Sequence, residues 1–263
     1  MATNSNFGSR FKPILERALP GPAGRIGAHP MRAHTASHLL SRAEHVRSFT
    51  LFRDIPKDDS LQIVAAARER QLSRSEVIYT EGGSVRQVFL LTSGSAKMVQ
   101  CSQNGSAVIL RLCGPGEIVG SLGISAQARY RSTPETLTEG SALVWDSTVF
   151  ESLSSQFPSL RLNVSYILYK QLEDMEDRFR EISTERVSPR LARQILRLVE
   201  QVGIVSNGSV AINITREALA QLIGTSLFTV SRLLSQWNRK GIVTTRREGF
   251  SVEDMQALED LTE

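Results

Sequence analysis

The sequence has almost no cysteine: Cys101 and Cys113 are the only two in 263 residues. That excludes a disulfide scaffold and any four-cysteine zinc or iron–sulfur site. Two lone thiols fit a reducing cytosol. Histidine is absent after residue 45. No Asp/Glu pair stands out by spacing, so neither a nucleophile–base pair nor the metal cluster of an enzyme is expected. No apolar run nears the roughly 20 residues that span a membrane. The N-terminus lacks the apolar core of a secretory signal. A cytoplasmic protein with no membrane partner is the expectation.

The four histidines, His29, His34, His38 and His45, lie close together. His34 and His38 would share one helix face, but no carboxylate or cysteine cluster completes a metal site, so none is expected. Residues 1–45 read as a disordered basic tail, rich in Gly, Pro, Ser, Ala and Arg and broken at Pro20-Gly21-Pro22. Met31 offers an alternative translation start, so it stays open whether residues 1–30 are translated or ordered.

The formal net charge is only +4, but it is unevenly spread. Residues 1–45 carry +4, 46–185 carry −2, 186–250 carry +7 and 251–263 carry −5. A nearly neutral body beside a basic block suggests two domains with different partners, the basic one facing a polyanion.

Four regions follow from the rhythm of the chain: the tail, 46–156, 157–183 and 184–263. Phe49 to Arg70 shows a helical pattern through Phe52, Ile55, Leu61, Ile63, Val64 and Ala67. Residues 76–150 then show short β runs punctuated by glycine, with Asn104-Gly105 as a hairpin signal. This predicts a small antiparallel sandwich, barrel or roll. In 157–183 the residues Leu168, Leu172, Met175, Phe179 and Ile182 follow alternating steps of four and three, a heptad seam suited to a dimer interface. Lys170, Glu173, Asp174, Asp177, Arg178, Arg180 and Glu181 form its charged outside.

Residues 216–235 carry the strongest motif. Ala220 gives the small residue needed where two helices cross, and Gly224 tolerates the positive φ of a tight turn. Leu219, Ile223, Val230, Leu233 and Leu234 face inward. Thr215 reads as an N-cap. Thr225 and Ser226 open a second helix that points Leu227, Phe228, Ser231 and Arg232 outward. Arg232 is the residue type that bonds guanine bidentately in the major groove. Residues 241–250 read as a β-hairpin wing with Arg246 and Arg247 at its tip, suited to phosphates. Thr229 completes the DNA-facing set: Thr225, Ser226, Leu227, Phe228, Thr229, Ser231, Arg232, Arg246 and Arg247.

Over residues 46–252 the chain resembles the cAMP receptor protein/fumarate-nitrate regulator (CRP/FNR) family. The resemblance rests on Gly82, Gly94, Gly105, Gly116 and Gly120, the 116-GEIVGSLG-123 segment, the long helix, and the winged helix-turn-helix with Thr225, Val230, Ser231 and Arg232. It implies an α+β protein: an antiparallel, cyclic-nucleotide-binding-like β-roll, a dimerisation helix and a C-terminal winged helix-turn-helix. It further implies a homodimeric regulator of transcription on pseudo-palindromic double-stranded DNA, with RNA polymerase as a partner. An effector in the roll would shift the population of helix packings and reset the spacing of the two readers to about one DNA turn, roughly 34 Å.

The resemblance places candidate effector contacts at Gly120, Ser121, Leu122, Arg131, Ser132, Met175 and Glu176. Arg131-Ser132 match the family's phosphate-binding pair. Ser121 stands where cAMP-binding members carry a ribose-gripping Glu, and Met175-Glu176 where they carry an adenine-reading Thr-Ser. These departures argue against cAMP itself. Arg131 has a blander reading, an ion pair with Glu135 or Glu139. No cofactor is assigned: the cysteine cluster of the iron–sulfur type is missing, while a cyclic nucleotide and haem stay open. The alternative is an effector-independent regulator that keeps the roll as a scaffold. In the reader, Leu227 and Phe228 stand where the cAMP-type members carry Arg and Glu; Arg232 remains, preceded by Ser231 as in the fumarate-nitrate type. Leu227 and Phe228 would touch thymine methyls, or Phe228 would pack under the wing.

Overall fold

The computed structural model describes residues 31–101, 107–120, 128–206 and 208–263. Leu39–Glu263 form one compact unit. The chain enters it through helix α1 (Met31–Val46). Ala43 and Val46 are buried in its core, which corrects the reading of a tail through residue 45. Residues 1–30, with His29, lie outside the described residues.

A 3-10 turn (Thr50–Phe52) and α2 (Lys57–Ala65) follow. The helical pattern expected through Arg70 stops there, because Arg68–Leu72 form strand β1. This charged segment has no strand alternation of its own. It is an edge strand held by pairing with β7 (Gly140–Asp146), with Arg68 opposite Val144 and Leu72 opposite Gly140. Charge on an edge also discourages pairing with another chain.

The roll closes from two antiparallel sheets. One has the order β1-β7-β2-β5, with β2 at Gln87–Ser93 and β5 at Ile118–Val119. The other has the order β4-β3-β6, with β3 at Ala96–Cys101, β4 at Ala107–Cys113 and β6 at Thr133–Thr136. Cys101 faces Ala107 across β3 and β4; the Asn104-Gly105 turn between them lies outside the described residues. Pro134 sits within β6, an edge strand of its sheet, where a missing N–H is tolerated. The run Val88-Phe89-Leu90-Leu91 is apolar throughout because both faces of β2 are covered. Phe89 and Leu91 point into the roll with Leu72, Met98, Cys113 and Val144. Val88 and Leu90 meet the helical layer.

That layer includes α3 (Ser147–Gln156) and the start of α4 (Pro158–Thr184). Trp145, fully buried, donates its indole N–H to the Ile63 carbonyl at 2.8 Å. Asn163 ties α4 to the carbonyls of Leu51 and Arg53 at 3.0 and 2.7 Å.

The C-terminal region contains α5 (Val187–Val202), α6 (Arg216–Ile223), α7 (Leu227–Arg239) and α8 (Met255–Asp260). A sheet β10-β11-β9-β8 completes it, with β8 at Ile204–Ser206, β9 at Ser209–Ile212, β10 at Val243–Thr245 and β11 at Phe250–Val252. Its core of Leu191, Ile195, Leu219, Leu234, Trp237 and Phe250 runs on without a break into Ile109 and Leu112 of β4. Where the two parts meet, a Cβ on Gly114 would lie 2.3 Å from the Gln201 carbonyl oxygen. Only glycine allows that approach. Among the described residues no single helix is long and apolar enough to cross a membrane.

Candidate DNA-reading and effector sites

The reader is built from local signals. The Thr215 hydroxyl accepts from the Ala218 N–H at 3.1 Å and starts α6. Gly224 ends α6 at φ +63°, ψ +51°, a left-handed geometry that glycine adopts without a Cβ clash. The Ser226 hydroxyl accepts from the Thr229 N–H at 3.1 Å and starts α7. The chain bends by 112° between the two helices, within the usual range for a helix-turn-helix. Leu219, Ala220, Ile223, Val230, Leu233 and Leu234 are all buried.

Leu227, Phe228 and Arg232 are exposed; Thr225, Thr229 and Ser231 are half-buried. Phe228 is 77% exposed, so it does not pack under the wing. The wing is the β10–β11 pair, with Val243 opposite Val252, and its tip closes by Arg246 N–H donating to the Gly249 carbonyl at 2.8 Å. Arg246 and Arg247 are exposed there. Glu248, next to them, pairs with Arg74 of the roll at 2.9 Å. The Arg74 guanidinium holds the Glu248 carboxyl below the usual carboxylate range.

On α4 the seam differs in one residue from the expectation. Leu172, Met175, Phe179 and Ile182 are exposed, at 50, 62, 74 and 49%. Leu168 instead packs against the roll's helical layer. Leu162, Tyr166 and Tyr169, which the heptad reading omitted, are exposed and extend the stripe toward the start of the helix. The charged outside is corrected too. Glu181 is 2% exposed and pairs with Arg197 and, at 3.4 Å, with Arg193. Arg193 also pairs with Glu185 at 2.6 Å. Arg178 donates to the carbonyls of Leu110 on β4 and, at 2.8 Å, Leu222 on α6. Burial among these groups, with Arg197 nearby, lowers its pKa from the ordinary arginine value. Sequence periodicity marks these charges as outward; only their long-range partners reveal otherwise.

Of the proposed effector contacts, Ser121 and Leu122 lie outside the described residues. Gly120 follows β5 and lies against Tyr79, whose ring stacks on Tyr130 with centroids 3.6 Å apart. Ser132 is buried and Arg131 exposed. Glu135 pairs with Lys97 at 3.1 Å, not with Arg131, and among the described residues neither Glu135 nor Glu139 is an ion-pair partner of Arg131. Met175 and Glu176 are exposed on α4. Deeper in the roll, Arg111 donates to the Cys113 sulfur at 2.9 Å and the Ile118 carbonyl at 2.8 Å. Burial pushes the Cys113 thiol up to about 12. Among the described residues no group of three or more His, Cys, Asp or Glu is placed to hold a metal ion. His45 bonds the Thr92 carbonyl at 3.0 Å and packs edge-on against Phe49.

Comparison with known proteins matches residues 69–157 to the cyclic nucleotide-binding domain and residues 189–261 to the Crp-like helix-turn-helix domain. The CRP-like cAMP-activated global transcriptional regulator of Mycobacterium tuberculosis is 24% identical over 187 residues, covering 70% of this chain and 84% of the relative. The transcriptional regulatory protein btr of Bordetella pertussis is 23% identical over 240 residues, covering 90% and 96%. Among solved structures, FixK2 from Bradyrhizobium japonicum superposes with a TM-score of 0.67 at 20% identity, covering 75% of this chain and 98% of that one. The c-di-GMP responsive regulator CLP of Xanthomonas campestris gives 0.64 at 19%, covering 76% and 100%. The structural likenesses show the fold, and the two domain matches in this order add the function class. The chain belongs to the CRP/FNR family of DNA-binding transcription regulators and carries that family's effector-type domain ahead of its DNA reader.

Proposed function

We propose that the chain acts as a cytoplasmic homodimer, paired along α4 and reading a pseudo-palindromic duplex with two copies of α7. The observation that carries this is the exposed stripe Leu162, Tyr166, Tyr169, Leu172, Met175, Phe179 and Ile182. A contiguous apolar surface on an otherwise charged helix marks an interaction site, and its steps of three and four suit a second copy of the same helix. Arg232 reads a guanine, Arg246 and Arg247 hold phosphates, and RNA polymerase is the downstream partner. Sedimentation tests the dimer. Phe179→Lys puts a charge in the seam and gives a monomer; a variant that still sediments as a dimer refutes it.

The roll is the effector domain. An anionic effector would meet the exposed Arg131 and its neighbour Ser132; Gly120 lies against Tyr79, whose ring stacks on Tyr130. Relatives are named for cAMP and for c-di-GMP, which share phosphate. Met175 and Glu176 offer no hydroxyl pair to an adenine, so phosphate rather than adenine is the feature proposed for recognition. Occupancy would shift the packing of α4 against β4 and α6 and so reset the two readers. A second reading, a scaffold without effector, is supported by the unbroken core between β4 and the reader. Thermal-shift titration with cyclic mono- and dinucleotides separates the two. A rise in melting temperature that Arg131→Ala abolishes supports gating; no rise with any nucleotide supports the scaffold.

A further inference from the structure

The first turn of the reading helix presents two apolar side chains to solvent. Phe228 is 77% and Leu227 49% exposed. The hydroxyls beside them are engaged within the cap: Ser226 and Thr229 bond each other at 2.9 Å, and Ser226 accepts from the Thr229 N–H. Leu227 and Phe228 themselves bring neither donor nor acceptor to a base edge. Phe228 and Arg232 are four residues apart and form one row on the helix; Leu227 and Ser231 form the row beside it. Four residues at 1.5 Å rise span about 6 Å, close to two base-pair steps.

We propose that Leu227 and Phe228 recognise the 5-methyl groups of thymines within about two base pairs of the guanine bound by Arg232. This rests on the DNA-reading function above. In the major groove the thymine methyl is the one apolar feature; every other distinguishing group is a donor or acceptor. An apolar side chain pressed on guanine O6 or cytosine N4 strips water from a polar edge and returns no hydrogen bond, which is costly. Pressed on a methyl, it buries two apolar surfaces together. The setting suits nucleic acid better than an apolar protein partner, since Arg232, one helical turn from Phe228, is exposed, as are Arg246 and Arg247 of the wing.

The test uses full-length protein and a site obtained by in vitro selection. Each thymine near the Arg232-dependent guanine is replaced by deoxyuridine, which keeps the base pair and removes only the methyl. Loss of each read methyl weakens wild-type binding about fourfold, the worth of one buried carbon. Phe228→Ala and Leu227→Ala each lose the discrimination at the thymine their own side chain reads, and the double variant binds thymine and deoxyuridine sites equally, with unchanged melting temperature. Equal wild-type affinity for the two duplexes overturns methyl recognition and leaves DNA reading standing. So does a double variant that still discriminates, or one that loses transcription but keeps full DNA affinity. A selection that enriches no sequence overturns the DNA-reading assignment, and this proposal with it.

Discussion

Arg178 donates through Nη2 to the carbonyl of Leu222 at 2.8 Å. Leu222 lies in the last turn of α6, where helix carbonyls have no partner within the helix and a cation is favoured by the helix dipole. The other arm of the same guanidinium reaches the Leu110 carbonyl on β4. One side chain on the long helix thus joins the roll and the DNA reader. Arg178→Ala removes two charge-assisted bonds and leaves two carbonyls to find new partners. The expected cost is about 2 kcal/mol, read from denaturant unfolding. Arg178→Lys recovers only part of it, because an ammonium lacks the planar fork that spans both acceptors. A midpoint unchanged in the alanine variant would contradict this role.

Arg232 is exposed on the face that α7 presents. Arg232→Ala should weaken specific binding by about 1–3 kcal/mol and relax the preference for guanine at one position. Binding to random duplex should stay nearly constant, since phosphate contacts dominate it. A mobility-shift titration giving the same loss on both duplexes would reassign Arg232 to the backbone.

Glu117 gives the roll a pH dependence. Its carboxylate accepts from the Gly114 N–H at 2.6 Å and lies 3.8 Å from Arg111. Burial outweighs both and raises its pKa above the ordinary carboxylate value. Between those two values the folded protein holds a proton that the unfolded chain has released. Stability from this group is therefore full below the ordinary value and is lost as pH rises through the raised one. Glu117→Gln mimics the protonated form and removes the loss. Unfolding midpoints of variant and wild type should coincide near pH 4 and diverge as pH rises, with the variant higher. Parallel curves would show that Glu117 does not titrate in this window.

Gly224 isolates a backbone term. A Cβ there would meet only Ile182 Cδ1, at 4.0 Å, so sterics with neighbours are negligible. Gly224→Ala should still cost about 1 kcal/mol, from the left-handed conformation alone. Gly224→Asn should cost less, because asparagine tolerates that region. Equal stability of all three proteins would mean that the turn relaxes out of the left-handed region.

The helix-turn-helix was legible in the sequence because its signals are local. Thr215, Gly224 and Ser226 act on backbone within four residues of themselves, and the burial of Leu219, Val230 and Leu234 follows from helical period. The glycine-punctuated runs announced a small antiparallel β domain for the same reason. Other features depended on elements far away in the chain. Arg68–Leu72 became a strand because β7, some seventy residues later, supplies its hydrogen bonds. Leu168 left the exposed stripe because the roll's helical layer lies beneath it. Arg178 and Glu181 look like solvated charges in a heptad, yet they meet Leu110, Leu222, Arg193 and Arg197. Periodicity fixes which residues share a face of an element; only tertiary packing decides what that face meets.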